Sequence, residues 1–413
     1  ILTNAHQPVI VVVSALWGTT DRLMRAAQEP RYAGRLVYDL AKHHLRFSPT
    51  LVESPLYDVF QRVLEGIEES LNALASDRDD KLAYNRLLAS GERLSALVIA
   101  HGLSLRGLEA HPVGAEDIGL QLDGAGTAAR VDIAGSRAKL DRSAFHGVPV
   151  VTGWFGEGTD GNIALLGRGG SDHTATALAA LLQAQRVVLW KDVLGIYPVN
   201  PRWGVQSSPI PYLGYGEAME FANADATILH PATVEPVYEM GIPIEIRHLT
   251  GYKQDGMKTV IGPDIEVEPA IKGIACIPRV ACVNAEVRYA QDAALALSDL
   301  LQALNEAGIR ICSFDTTNTQ WRFVFRQHDV SKGVKIVQEH SSTVEYEYYA
   351  AMLSFIGCRD LDYLRSQLND SNQADGPVYE SVTSIHMLSN RVDISRMLDE
   401  MMSLVSQGKN HSA

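Results

Sequence analysis

Two adjacent glycines, Gly169 and Gly170, lie between a short apolar run, Ile163 to Leu166, and an Ala/Leu-rich helical pattern from about Thr174. This order constrains the fold more than any other feature. A strand that passes into a helix through Gly-Gly brings its backbone close to whatever sits at the strand's end. The first N–H groups of such a helix have no intrahelical partner and favour an anion. Arg168 adds a planar fork of donors suited to a carboxylate or a phosphate. A tight strand–helix connection that binds nothing fits the same residues, so the rest of the chain has to decide.

The N-terminal two-thirds alternates β-rich runs with longer helical patterns. Strands are predicted at 9–14, 108–113, 148–153, 163–166, 186–190 and 243–247. Helices are predicted at 19–28, 56–76, 81–106, 131–141, 174–184, 215–223 and 231–239. Within 56–76, Val59, Phe60, Val63, Leu64, Ile67 and Leu71 form one apolar stripe at helical spacing. The alternation predicts a sheet covered by helices on both faces, with residues 114–130 as a polar, Gly-rich loop or hairpin.

Glycines and prolines cluster at 250–268 and mark a boundary. Beyond it, a strand (271–287), a helix (291–307), strands at 309–314 and 320–326, a helix (329–339) and a strand (343–350) follow. That β-α-β-β-α-β order predicts a ferredoxin-like unit. A second cycle begins at Ala350 to Gly357 and continues through a helix at 360–368, strands near 378–389 and a helix at 393–406.

A length of 413 residues implies two or three domains, and 46% apolar residues suit a soluble protein with a substantial core. The net charge is −13 and no basic stripe stands out along the sequence, which argues against nucleic acid as a partner. The four cysteines, Cys276, Cys282, Cys312 and Cys358, contain no Cys-x-x-Cys pair and read as reduced thiols of a cytoplasmic protein. No apolar run approaches the ~20 residues that span a bilayer, and no signal peptide is visible.

The octet Gly167-Arg-Gly-Gly-Ser-Asp-His-Thr174 is followed by Lys191-Asp-Val-Leu-Gly-Ile-Tyr197. Four further segments accompany them in order: Val12 to Asp21, Ser90 to Ser95, Val151 to Gly156, and Ala226 to Thr233. With these motifs the chain resembles the aspartate kinases of the amino-acid kinase superfamily. The resemblance implies a three-layer α/β/α kinase domain over 1–265, followed by two ferredoxin-like ACT domains at 266–345 and 346–413 that interlock. It also implies ATP with Mg²⁺, L-aspartate as acceptor, an effector amino acid at the ACT domains, and a homodimer or higher homo-oligomer.

Carried over residue by residue, the resemblance makes Arg168 and Asp172 catalytic. Ser14, Thr20, Glu92, Arg168, Gly169, Gly170 and Ser171 become aspartate contacts, and Lys191, Asp192, Tyr197, Arg202 and, by position, Thr227 nucleotide contacts. Local sequence alone reads several of these differently. Glu92 is then an exposed helical carboxylate, Thr20 a helix cap, Tyr197 a core side chain and Arg202 a solvated cation.

Several residues depart from the family pattern. Asn200 stands where relatives often carry aspartate, and Thr227 where a lysine usually helps hold ATP. The second ACT segment reads Ser354-Phe-Ile-Gly-Cys-Arg359 without the usual glycine-rich turn. Phe314 to Gln320 fits either an effector pocket or a polar hairpin turn. The chain opens Ile1-Leu-Thr without methionine and without the Lys-Phe-Gly-Gly strand, so its numbering is expected to start partway through a longer polypeptide. Two other readings stand beside the kinase: a non-catalytic, amino-acid-sensing paralogue, and a kinase for another acidic amino acid.

Overall fold

The computed structural model describes residues 8–224, 228–249, 257–265, 271–288, 293–317, 319–358, 362, 364, 377–381 and 383–405. They form two compact units, one of residues up to 187 with 232–242, the other of 188–231 with 243 onward.

The first unit contains a parallel sheet of β1 (Val11–Val13), β2 (Ala110–Val113) and β3 (Val148–Thr152) in the order β1-β3-β2. Its helices include α1 (Thr19–Gln28), α2 (Ala33–Leu45), α3 (Tyr57–Ser76), α4 (Lys81–Ser104), α5 (Ile133–Lys139) and α6 (Gly170–Leu182). Successive strand residues point to opposite faces, and the packing follows. Val11, Val13 and Val150 gather with Ala96, Ile99, Ala100 and Leu103 of α4. Val12, Val113 and Val151 gather on the other face with Ala177, Leu178 and Leu181 of α6. Helices therefore cover both faces of this sheet, as the alternation predicts.

Helix α4 is buried almost all round, from Ala83 to His101. Its Leu87, Leu88, Leu94 and Leu97 join Leu23, Leu40, Phe60, Leu64 and Ile67 in a separate apolar cluster with α1–α3. A helix wedged between a sheet and other helices needs no polar face, which accounts for its weak amphipathicity. A hairpin of β4 (Phe155–Glu157) and β5 (Ile163–Leu165) leads into α6.

Two expectations need correction here. Helix α6 starts at Gly170, not near Thr174, because Gly169 takes a left-handed φ of 76° and caps it from outside. Helix α2 was absent from the sequence expectations altogether. Pro30 and Gly34 flank its start, and only Leu36, Leu40 and His44 are buried along it.

The second unit opens with β6 (Val187–Lys191), β7 (Tyr212–Gly214) and α7 (Tyr215–Asn223). After α8 (Pro231–Tyr238), most of which belongs to the first unit, come β8 (Ile244–His248) and β9 (Thr259–Gly262). These strands form a sheet in the order β6-β8-β9-β7, with β9 parallel to β7 and antiparallel to β8. Strands β4, β7 and β9, each of three or four residues, are too short to leave an alternating pattern in sequence.

Downstream, β10 (Gly273–Val287), α9 (Ala293–Glu306), β11 (Ile311–Thr316), β12 (Gln320–Arg326), α10 (Val330–His340) and β13 (Ser341–Ile356) lead to β14 (Val378–Glu380) and β15 (Ser384–Ser389). All six strands share one sheet, ordered β11-β12-β10-β13-β15-β14. Strands β10 and β13 pair antiparallel along nearly their whole length. The later half of β10 completes one ferredoxin-like cycle with β11, β12 and β13. The earlier half lies beside the later half of β13 and closes the second cycle with β15 and β14.

Arg279, with φ of 55°, marks the joint, and the register passes over it from Pro278 to Val280. Each cycle has its own core, one around Trp321, Phe323, Phe325 and Leu300, the other around Leu353, Phe355, Met387 and Met397. The Phe314–Gln320 stretch ends in a hairpin whose Thr317 hydroxyl accepts the N–H of Gln320 at 3.0 Å. The helix expected at 360–368 falls mostly outside the described residues. Among the described residues, no helix is long and apolar enough to cross a membrane.

Candidate active site

In the first unit, the C-terminal ends of β1 and β3 and the start of α6 come together, the end of a parallel sheet where ligands gather in open α/β folds. The N–H of Gly153 donates to the carbonyl of Val13 at 2.9 Å, tying the two strand ends to each other. Trp154 follows with φ of 70°, an unusual backbone for a tryptophan. Its N–H donates to the Thr174 hydroxyl at 3.2 Å, and its carbonyl accepts from Leu166 N–H at 2.7 Å. The Thr174 hydroxyl in turn donates to the Gly170 carbonyl at 3.0 Å.

Close approach explains the glycines. A Cβ on Gly170 would collide with Trp154 Cδ1 and lie 2.7 Å from Leu166 Cβ, and one on Gly153 would lie 2.6 Å from Ser171 Cβ. Packing therefore requires glycine at 170, in the turn, and at 153, after β3, besides any ligand. Arg168 is exposed at the turn, while Ser171 and Asp172 are half-buried in the first turn of α6. That placement leaves a guanidinium and a helix N-terminus at the same strand end.

Glu92 reaches the cluster from α4. It is 3% exposed, which corrects the local reading of an exposed helical carboxylate. One oxygen, Oε1, accepts the N–H of Ala15 at 3.1 Å. The other, Oε2, is buried with no hydrogen-bond partner among the described residues. Burial raises the pKa of this carboxyl to about 8, with the Ala15 N–H acting in the opposite direction. A buried carboxyl with one satisfied and one vacant oxygen suits an ammonium group, whose arrival would favour the ionised form.

Ser14 is exposed in the loop after β1, and Gly18 begins α1 with φ of 76°. No side chain caps α1, so the capping role that local sequence allows for Thr19 or Thr20 is not used. Thr19 is fully buried and Thr20 half-buried. Next to Glu92, Arg93 pairs with Glu116, whose pKa burial raises while Arg93 opposes the shift. The motifs contain Ala15, Arg93, Trp154 and Thr174 but give them no role, and nothing in the sequence marks Glu116 as the partner of Arg93.

The expected nucleotide contacts lie in the second unit. Lys191 ends β6, half-buried, and its carbonyl accepts from Leu249 N–H at 3.1 Å. Asp192 is exposed just beyond the strand, and Tyr197 is half-buried in the following loop. Arg202 is exposed, with its guanidinium 5.3 Å from the centre of the Trp203 ring. Asn200 caps the short turn by accepting Arg202 N–H at 3.1 Å, a role that aspartate could equally fill. The loop is braced by the Thr259 hydroxyl, which accepts from Ile196 N–H at 2.8 Å and donates to the Ile210 carbonyl at 2.7 Å. Thr227 lies outside the described residues.

A parallel sheet between helices, with a Gly-Gly helix start, an exposed arginine and a buried carboxyl at one end, is an arrangement whose chemistry suits a small zwitterionic or anionic metabolite. The model of the Amino acid kinase family matches residues 1–248, and the chain belongs to that family. An aspartokinase from Geobacillus stearothermophilus is 29% identical over 296 residues, 68% of this chain and 70% of that protein. The chloroplastic aspartokinase 3 of Arabidopsis thaliana is 31% identical over 286 residues, 66% of this chain and 50% of that protein. The chain thus matches only half the length of the plant relative. E. coli aspartokinase III, solved in complex with aspartate and ADP, has a similar fold, with a TM-score of 0.78 at 22% identity over 97% of this chain and 94% of that one.

Proposed function

We propose that this chain is an aspartate kinase, transferring the γ-phosphate of ATP to the side-chain carboxylate of L-aspartate to give 4-phospho-L-aspartate, the first step toward lysine, threonine and methionine. The observation that carries the reading is Glu92, buried with one oxygen held by Ala15 and the other vacant. It supplies an acid for the acceptor's ammonium group. Arg168 pairs with the α-carboxylate, and the start of α6, with Gly169, Gly170 and Ser171, faces the remaining negative charge. Ser14 and Thr20 add hydroxyl donors, and Asp172 helps orient the acceptor. The relatives named above, all aspartokinases, support the same substrate pair.

Phosphoryl transfer needs positioning and charge compensation more than covalent help from the protein. Lys191, Asp192, Tyr197, Arg202 and Thr227 would hold the nucleotide. Among the described residues no group of three His, Cys, Asp or Glu side chains could hold a metal, and in this reading Mg²⁺ arrives with ATP and offsets phosphate charge. We further infer a kinase domain over 1–265 and interlocked ACT domains at 266–345 and 346–413. These would take an effector amino acid and join the chain into a homo-oligomer in the cytoplasm.

The test is formation of aspartyl hydroxamate from ATP, aspartate and hydroxylamine by the purified full-length protein. Hydroxamate that depends on both ATP and Arg168 supports the proposal. Amino-acid binding without ATP turnover contradicts it.

A further inference from the structure

A concave site lies in the first unit, lined by residues of α1 and α2 and the turn between them. The cleft measures about 460 Å³ and is lined by Arg22, Arg25, Tyr32, Asp39, Lys42, His43 and Arg46, with Leu36 at its floor. That volume lies within the range of small-molecule sites. Helical spacing assembles it. Arg22 and Arg25 lie one turn apart on α1, and Leu36, Asp39, Lys42 or His43, and Arg46 follow one another at three- to four-residue steps along α2. Packing of Leu23 and Ala26 with Leu36 and Leu40 in one apolar cluster holds the two rows beside each other.

Exposed cations on helices are ordinary, and some are matched by a carboxylate. On the same helices, Arg35 lies 3.4 Å from Asp39, and Arg25 lies 3.9 Å from Glu29. Arg25 also donates to the Tyr32 hydroxyl and stacks 3.6 Å from the centre of its ring. Arg22, Lys42 and Arg46 pair with no carboxylate among the described residues. Arg22, Lys42 and Arg46 are thus three unmatched cations beside Arg25, facing one carboxylate already committed to Arg35, a local excess of positive charge in a chain whose net charge is −13. The field reaches His43, whose Nε2 is buried without a hydrogen-bond partner among the described residues. Its pKa is lowered by burial first and then by Arg22 and Arg46. Such an arrangement repels itself and gains from an anion carrying several charges.

We propose that this cleft binds a small, multiply charged diphosphate anion, through residues other than those assigned to aspartate. Arginine forks and a lysine point charge suit phosphate oxygens. The shared chemistry is a diphosphate, either free or carried by a nucleotide.

The test is calorimetric titration of the whole protein at constant ionic strength, without divalent metal, using inorganic pyrophosphate and, in a second arm, ADP. Three proteins are compared: unaltered, K42Q/R46Q and R168Q. A loss of about tenfold or more in affinity for pyrophosphate or ADP in K42Q/R46Q, absent in R168Q, supports the proposal. The arm that loses more identifies the free or the nucleotide form. The His43 ring resonances of the unaltered protein, followed by NMR, should titrate at higher pH when the anion is bound. Affinities unchanged in K42Q/R46Q, affinity lost only in R168Q, or an unmoved His43 titration would overturn it.

Discussion

The backbone N–H of Ala15 donates to Oε1 of Glu92 at 3.1 Å, joining residues 77 apart in sequence. This bond fixes a buried carboxyl against the loop that follows β1, and leaves Oε2 as the one oxygen still needing a partner. Several consequences can be measured.

Glu92→Gln should blunt selection for the ammonium group. Aspartate and succinate differ by that group alone. The unaltered protein should prefer aspartate strongly, whereas the variant should narrow the ratio of affinities by about tenfold or more, as expected for a charged hydrogen bond. Competition of succinate with aspartate in the kinase assay reads the ratio directly.

The same carboxyl makes stability depend on pH. Its folded pKa, about 8, lies above the ordinary 4.5, so between these values the folded state holds a proton that the unfolded state has released. Its contribution is therefore fully present below pH 4.5 and declines as pH rises through 8. Glu92→Gln mimics the protonated form and should remove this decline. Melting temperatures of variant and unaltered protein should coincide below pH 4.5, draw apart progressively between pH 4.5 and 8, and stay apart by a constant margin above it, with the variant higher.

Arg168→Ala should raise the aspartate KM by one to two orders of magnitude, about the worth of a charge-assisted pair. Because Arg168 is exposed, its removal should leave the melting temperature nearly unchanged. Steady-state kinetics together with thermal unfolding separates a binding role from a structural one.

Gly170→Ala should behave in the opposite way. The added methyl meets Trp154 and Leu166, both part of the frame rather than of flexible side-chain ends. A cost of about 1–3 kcal/mol in unfolding free energy is expected from overpacking. Chemical denaturation of the variant measures it.

The sequence allowed a good reading of the layered fold and a partial one of the site. Helices α1 and α7 match their expected limits at Thr19–Gln28 and Tyr215–Asn223. The first ferredoxin-like cycle follows the β-α-β-β-α-β pattern, and the described strands of the second take their places in the same sheet. Helix α2 escaped because its buried positions are few, with basic residues between them. The start of α6 escaped because Gly-Gly-Ser resembles a loop until Gly169 is seen to be left-handed. Burial of Glu92 was illegible for a different reason. It depends on Ala15 and the β1 loop, which only the tertiary fold brings near. The basic cleft is similar, since its charges are spread from Arg22 to Arg46 and no stripe marks them along the chain.

The most direct measurement is aspartate binding by calorimetry at pH 7, in two buffers of different ionisation enthalpy. A carboxyl with pKa about 8 is mostly protonated at that pH. If the acceptor's ammonium group settles on Glu92, each binding event should release about one proton from the unaltered protein and none from E92Q. Aspartate binding with no proton release, or with equal release from E92Q, would contradict the placement of the acceptor at this carboxyl.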